Sequence, residues 1–167
     1  GDRVVLLDTC GASNASVSHL LPRSPALGWA ATGASGASFS WVWDVPNSTA
    51  VTPLTAKGGS YRLCWCASGF RCSTAADMVI DMGELVVVGP SPLSREHTCV
   101  SGQSCSLDGI IGTHLSDEDM VMVLATCGAA TPIPGLPQGG TWATSAEVSA
   151  SGATLAWRSS GLSWTDV

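Results

Sequence analysis

The sequence predicts an all-β fold: disulfide-rich antiparallel β-sandwich repeats in tandem. Three observations carry that prediction. Residues 61–66 alternate, with Tyr61, Leu63 and Trp65 on one side and Arg62, Cys64 and Cys66 on the other, which is the two-residue period of a strand. Short apolar stretches elsewhere are bounded by Gly, Pro, Ser and Asp-Gly turn signals, and none carries a convincing helical period. The chain also repeats itself. Residues 2–12 read DRVVLLDTCGA and residues 119–129 read DMVMVLATCGA, a constant offset of 117.

A period near that length is about one sandwich domain and too long for a solenoid. The looser matches agree. Trp29 in GWAAT resembles Trp142 in TWATS, and the ASGA before Trp41 resembles the ASGA before Trp157. The chain therefore holds residues 1–89 as the C-terminal portion of one repeat, a Pro linker at 90–92, and residues 93–167 as the N-terminal portion of the next.

One complete unit is assembled from the front of the second copy and the back of the first. Residues 98–108 carry Cys99 and Cys105 around Ser101-Gly102, and Asp108-Gly109 is a turn. Residues 110–115 are a short extended piece. Residues 119–126 contain VMVLA and predict a strand buried on both faces. The Pro- and Gly-rich stretch after Cys127 is loop. Residues 154–157, or 39–43 in the first copy, form the third strand, with Phe39, Trp41 and Trp43 on one face. Residues 51–55 are a weak edge strand interrupted by Pro53. Residues 61–66 are the central strand, and 78–88 the last, with a break at Met82-Gly83. Short antiparallel strands and a Trp on the third strand point to an immunoglobulin-like sandwich.

Seven cysteines become six in one complete unit, the even number a closed framework requires. The expected pairs are Cys66–Cys72 within the hairpin, Cys99–Cys105 within the first loop, and Cys10–Cys64 between strands. Other pairings are combinatorially open. Cys127, the repeat-mate of Cys10, is left for a cysteine outside this segment or on a neighbouring chain. With Tyr61, Leu63 and Trp65 facing the core, Cys64 and Cys66 face away, so the bridges gather at one pole instead of crossing the sandwich centre.

Composition narrows the function. Charged residues make up 12%, Lys57 is the single lysine, and the net charge is −6 with no basic run. That argues against nucleic acid and anionic membrane surfaces as partners. The apolar run LVVV is far too short to span a bilayer. Two sequons, at Asn14 and Asn47, predict N-linked glycans, and with the cysteines they point to an extracellular or cell-surface glycoprotein. CxxC zinc pairs are absent. His19, His97 and His114 are scattered and stand near no nucleophile motif, so no catalytic residue and no cofactor is expected. Asp117-Glu118-Asp119 lacks a calcium-loop spacing and reads as a solvated turn; no metal is expected. Trp41, Trp43 and Trp65 alternate as core residues do. Trp29 and Trp142 lie in Gly/Ala/Thr-rich loops and are candidates for a sugar or subunit contact.

The pieces YRLCWC, CSTAAD, GELVVVGP and TCVSGQSC resemble the long tandem repeats of giant predicted surface proteins of dinoflagellates and related protists, over nearly the whole chain. That resemblance implies an extracellular, repetitive, immunoglobulin-like protein and no catalytic residues. The expected role is a structural repeat module of an extracellular filament or cell-surface appendage, assembling head-to-tail with other copies. The alternative is a carbohydrate-binding or adhesion module using exposed Trp.

Overall fold

A computed structural model of the chain describes residues 1–12, 28–33, 36–41, 54–101, 103–128, 133 and 146–157. The described residues form ten strands and no α-helix, in two compact units, Gly1–Val87 and Val88–Val167. The fold is all-β, in small antiparallel sheets tied by three disulfides.

The first unit contains β1 (Arg3–Leu7), β2 (Ala31–Gly33), β3 (Ser38–Ser40), β4 (Gly59–Cys66) and β5 (Ile80–Val87). β4 is the centre of an antiparallel sheet in the order β1-β4-β5. Val5 stands opposite Cys64 and Leu6 opposite Leu63. On the other side the register shifts: Leu63 opposes Gly83 while Cys64 opposes Asp81, which leaves Met82 as the extra residue of a β-bulge. Gly83 takes φ +130° there, a conformation open to glycine and costly for other residues. The strand expected to break at Met82-Gly83 is continuous there, and the irregularity is this shift in pairing.

Both faces of this sheet are covered, which explains the unbroken apolar run of β1. On one face Val5, Leu7, Cys64 and Cys66 pack with Ala75 and Met78, and Trp29 lies against them. On the other, Leu6, Tyr61 and Val87 pack with Trp41, Leu63 and Leu85. The alternation of β4 is therefore as read, but its cysteine face is not an outer face. Cys64 is fully buried and Cys66 nearly so. The β4–β5 connection folds back over them as a 3₁₀ turn, Ala75–Asp77, and drives Met78 into the cluster.

The second unit contains β6 (Gly89–Pro90), β7 (Cys105–Leu107), β8 (Gly112–Thr113), β9 (Glu147–Ser149) and β10 (Thr154–Trp157). One sheet runs β7-β10-β9 and another pairs β6 with β8. Gly89 and Pro90 are thus rungs of a ladder, extended by the Ser91 N–H donating to the Ile111 carbonyl at 2.9 Å. A Cβ on Gly112 would strike the Gly89 carbonyl, so this crossing requires glycine.

The hairpins β2–β3 and β9–β10 are the same object. Thr32 opposes Phe39 and Gly33 opposes Ser38; Val148 opposes Leu155 and Ser149 opposes Thr154. Adding 116 to each residue of the first pair gives the second. By that register Trp41 corresponds to Trp157, whereas Trp29 corresponds to position 145, not to Trp142. Residues 119–126 depart from expectation: they form no strand. The weak strand at 51–55 falls partly outside the described residues, and Leu54 and Thr55 are not in a strand.

Candidate functional site

The Thr-Cys-Gly motif occurs twice, and the two settings differ. In the first unit β1 runs into Cys10, which bonds Cys64 across 54 residues of chain. Gly11 turns with φ +69° and its N–H donates to the Met78 carbonyl at 2.9 Å. At the other end of β1 the Asp2 carboxylate accepts the Ser68 N–H at 2.8 Å, beside the Cys66–Cys72 bridge. One edge of β1 takes β4; at the other the Ala30 N–H donates to the Val4 carbonyl at 2.9 Å. Val4, Val5, Leu6 and Leu7 are consequently at most 1% exposed.

In the second unit the related segment keeps some of those neighbours. The Ala146 N–H donates to the Val121 carbonyl at 3.1 Å, as Ala30 does to Val4. Gly128 turns with φ +83°, as Gly11 does. The β4 and β5 equivalents are missing among the described residues. Met120 is 67% exposed and Val123, the repeat-mate of Leu6, is 37% exposed. Cys127 is exposed and makes no disulfide, although Cys99–Cys105 is closed nearby in sequence. A cleft of about 650 Å³ opens here within the second unit, lined by Leu107, Ile110, Val123, Val148, Leu155 and Trp157 among others. Its walls are mainly apolar, with Arg95, His97 and Asp119 among them.

Electrostatics are concentrated on the β4–β5 connection of the first unit. Asp77 accepts hydrogen bonds from the Thr74 hydroxyl (2.8 Å), the Thr74 N–H (2.9 Å), the Ser73 N–H and hydroxyl, and Arg71 Nε. The Thr74 hydroxyl above all, then the Thr74 and Ser73 amides and Arg71, lower its pKa to about 2. Asp81 is lowered chiefly by the forked hydrogen bonds from Arg62 (2.8 and 2.6 Å), and by the Gly83 amide. The Tyr61 phenol is pushed up by burial and then by the nearby Asp8 charge, and its hydroxyl donates to the Lys57 carbonyl at 3.0 Å. These groups hold a turn and a sheet edge of the first unit in place.

Trp29 is half-buried. It packs on the Val5–Cys64 cluster, and the Arg3 guanidinium stands 5.9 Å from its ring centroid, a cation–π distance. Trp142, Asn14 and Asn47 lie outside the described residues. No helix among the described residues is long and apolar enough to cross a membrane. No group of three or more His, Cys, Asp or Glu among them could hold a metal ion. Sequence reasoning missed the covering role of Ala75 and Met78. The Thr74–Asp77 spacing, a helix-start signature, was the available signal. No family model, curated protein or solved structure matches this chain.

Proposed function

We propose that this chain is a structural module of an extracellular filament or cell-surface appendage, in which immunoglobulin-like sandwich units follow one another in series. The observation that carries the reading is the recurrence of one set of β elements, at an offset of 117 for the Thr-Cys-Gly segment and 116 for the hairpin. A Thr-Cys-Gly turn and a hairpin of identical register occur twice, and in the first copy β4 and β5 complete the sheet beside β1. A complete unit assembled from the two would contain a β7-β10-β9 sheet and a β1-β4-β5 sheet, the two layers of a sandwich. Three disulfides in a lysine-poor chain suit an oxidising compartment and a protease-exposed setting. Association in which one unit's end meets the next unit's beginning is heterologous and builds open filaments.

Limited proteolysis before and after reduction tests this reading. A disulfide-hardened module resists cleavage when oxidised and loses that resistance on reduction. Unchanged resistance refutes it. Carbohydrate binding through Trp29 has less support, because Arg3 and the Val5–Cys64 cluster occupy its surroundings. A sugar-dependent quench of Trp fluorescence that disappears in Trp29→Ala would reverse that ranking.

A further inference from the structure

We propose that the first unit opens to reductants in a fixed order. The Cys66–Cys72 bridge is the latch of a lid formed by residues 67–78, and the Cys10–Cys64 bridge beneath that lid is reduced only after the latch is released. The geometry of the first unit carries this whatever role the module serves. The two bridges start two residues apart on one face of β4. They differ in what stands over them.

The chain leaves β4 at Cys66 and turns, with the Phe70 N–H donating to the Ala67 carbonyl at 3.3 Å, and Cys72 ties it back to its start. Asp77 then fixes the next turn by accepting the Ser73 and Thr74 amides. The 3₁₀ turn that follows lays Ala75 and Met78 on Val5, Leu7 and Cys64. Cys64 and Met78 have no exposed surface. At its far end the lid is held by the Gly11 N–H donating to the Met78 carbonyl at 2.9 Å, next in sequence to Cys10. At its near end the Cys66–Cys72 bridge is the covalent tie. The other ties there are exposed hydrogen bonds, Arg3 to the Cys72 carbonyl at 3.3 Å and the Ser68 amide to Asp2 at 2.8 Å. Reaching the latch therefore asks for movement of residues 68–71, all of them exposed. Reaching Cys64 asks for Ala75 and Met78 to leave Val5 and Leu7, a larger and rarer opening.

The reductant is a small dithiol. One of its thiolates attacks the Cys72 sulfur, and the Cys66 sulfur leaves and takes up a proton. The dithiol's second sulfur then closes on the first and releases Cys72 as a thiol. The bridge gains two electrons and two protons, and the dithiol becomes a cyclic disulfide. With the lid free to lift, the same two steps open Cys10–Cys64.

The test uses the full 167-residue chain with the free Cys127 thiol blocked beforehand by N-ethylmaleimide. The folded chain is treated with dithiothreitol, samples are trapped with a second, heavier maleimide, and each bridge is followed by peptide mapping. The expected result is that the form with Cys66 and Cys72 alkylated and Cys10–Cys64 intact builds up first. Cys10–Cys64 should open at least about tenfold more slowly than the latch. In C66A/C72A its reduction should speed up by about tenfold or more. In that variant the Gly11 and Met78 amides should also gain more in hydrogen exchange than those of Arg3–Leu7, which separates a lifted lid from a loosened sheet. The ordered opening is overturned if Cys10–Cys64 is reduced first, or if the two bridges open at the same rate. It is also overturned if the Gly11 and Met78 amides gain no more than those of β1. Loss of protease resistance with both bridges opening together would remove the latch and leave the disulfide-hardened module standing; unchanged resistance with the ordered opening intact would do the reverse.

Discussion

Removing the Cys10–Cys64 bridge should cost the first unit more than removing Cys66–Cys72, although both bridges are anchored on β4. The structure supplies the reason. Cys10–Cys64 closes a loop with a sequence separation of 54, and Cys66–Cys72 one of 6. In the chain-entropy account the longer closure contributes roughly 4 kcal/mol and the shorter roughly 2 kcal/mol. Truncating the fully buried Cys64 sulfur adds to the first figure. The perturbations are the double variants C10A/C64A and C66A/C72A. The assay is native-state amide exchange read at Arg3–Leu7, because those amides report opening of this unit alone. C10A/C64A should accelerate exchange there by about a thousandfold and C66A/C72A by several tens of fold, since each 1.4 kcal/mol is about a factor of ten. Equal effects, or the reverse order, would refute the claim that Cys10–Cys64 is the main tie of the unit.

Three further outcomes follow from the same geometry. Leu6→Ala, at a 1% exposed position, should destabilise its unit by about 2–5 kcal/mol. Val123→Ala, at the repeat-mate, should stay within about 0.5 kcal/mol; chemical denaturation followed by exchange at each segment distinguishes them. Gly152→Ala should be the harsher of two glycine changes. Both Gly152 (φ +80°) and Gly69 (φ +92°) are left-handed, but a Cβ on Gly152 would meet Leu115 Cβ at 2.7 Å while one on Gly69 meets nothing within 4 Å. Gly69→Ala should therefore cost only the backbone term of roughly 1–2 kcal/mol, and thermal melts of the two variants should rank accordingly. Asp77 has a folded pKa of about 2 against an ordinary 3.8, so its ionised form favours the folded state. That contribution is whole above about pH 4 and is lost as pH falls towards 2. Asp77→Asn should flatten the stability profile between pH 4 and pH 2, and an acid titration that drops as steeply as the wild type's would contradict this.

The legible parts of the fold were those set by local chemistry. The two-residue alternation around Cys64 and Trp65 marked the central strand, and Met82-Gly83 marked the irregular point of β5, although the strand does not break there. The third strand was legible at residues 154–157, which are β10, while in the first copy β3 is Ser38–Ser40 and Trp41 lies past its end. What failed was a strand whose existence depends on a distant partner. VMVLA at 121–125 has the same propensity as the VVLL of β1, yet only β1 has a β4 beside it. Propensity proposes a strand, and a ladder makes one. The burial of Cys64 and Cys66 was illegible for a similar reason. Period-2 alternation separates two faces but does not say that a returning connection, here Ala75 to Met78, covers the second. The apolar cleft of the second unit was visible only as the difference between two copies of one sequence.

The most direct measurement is a disulfide map of the protein isolated from its source under non-reducing conditions, with free thiols alkylated before digestion. The account predicts that the Cys127 peptide is recovered linked to a peptide of the YRLCWC type, through the cysteine at the Cys64 position. Recovery of Cys127 as the alkylated free thiol in the assembled native protein would contradict it.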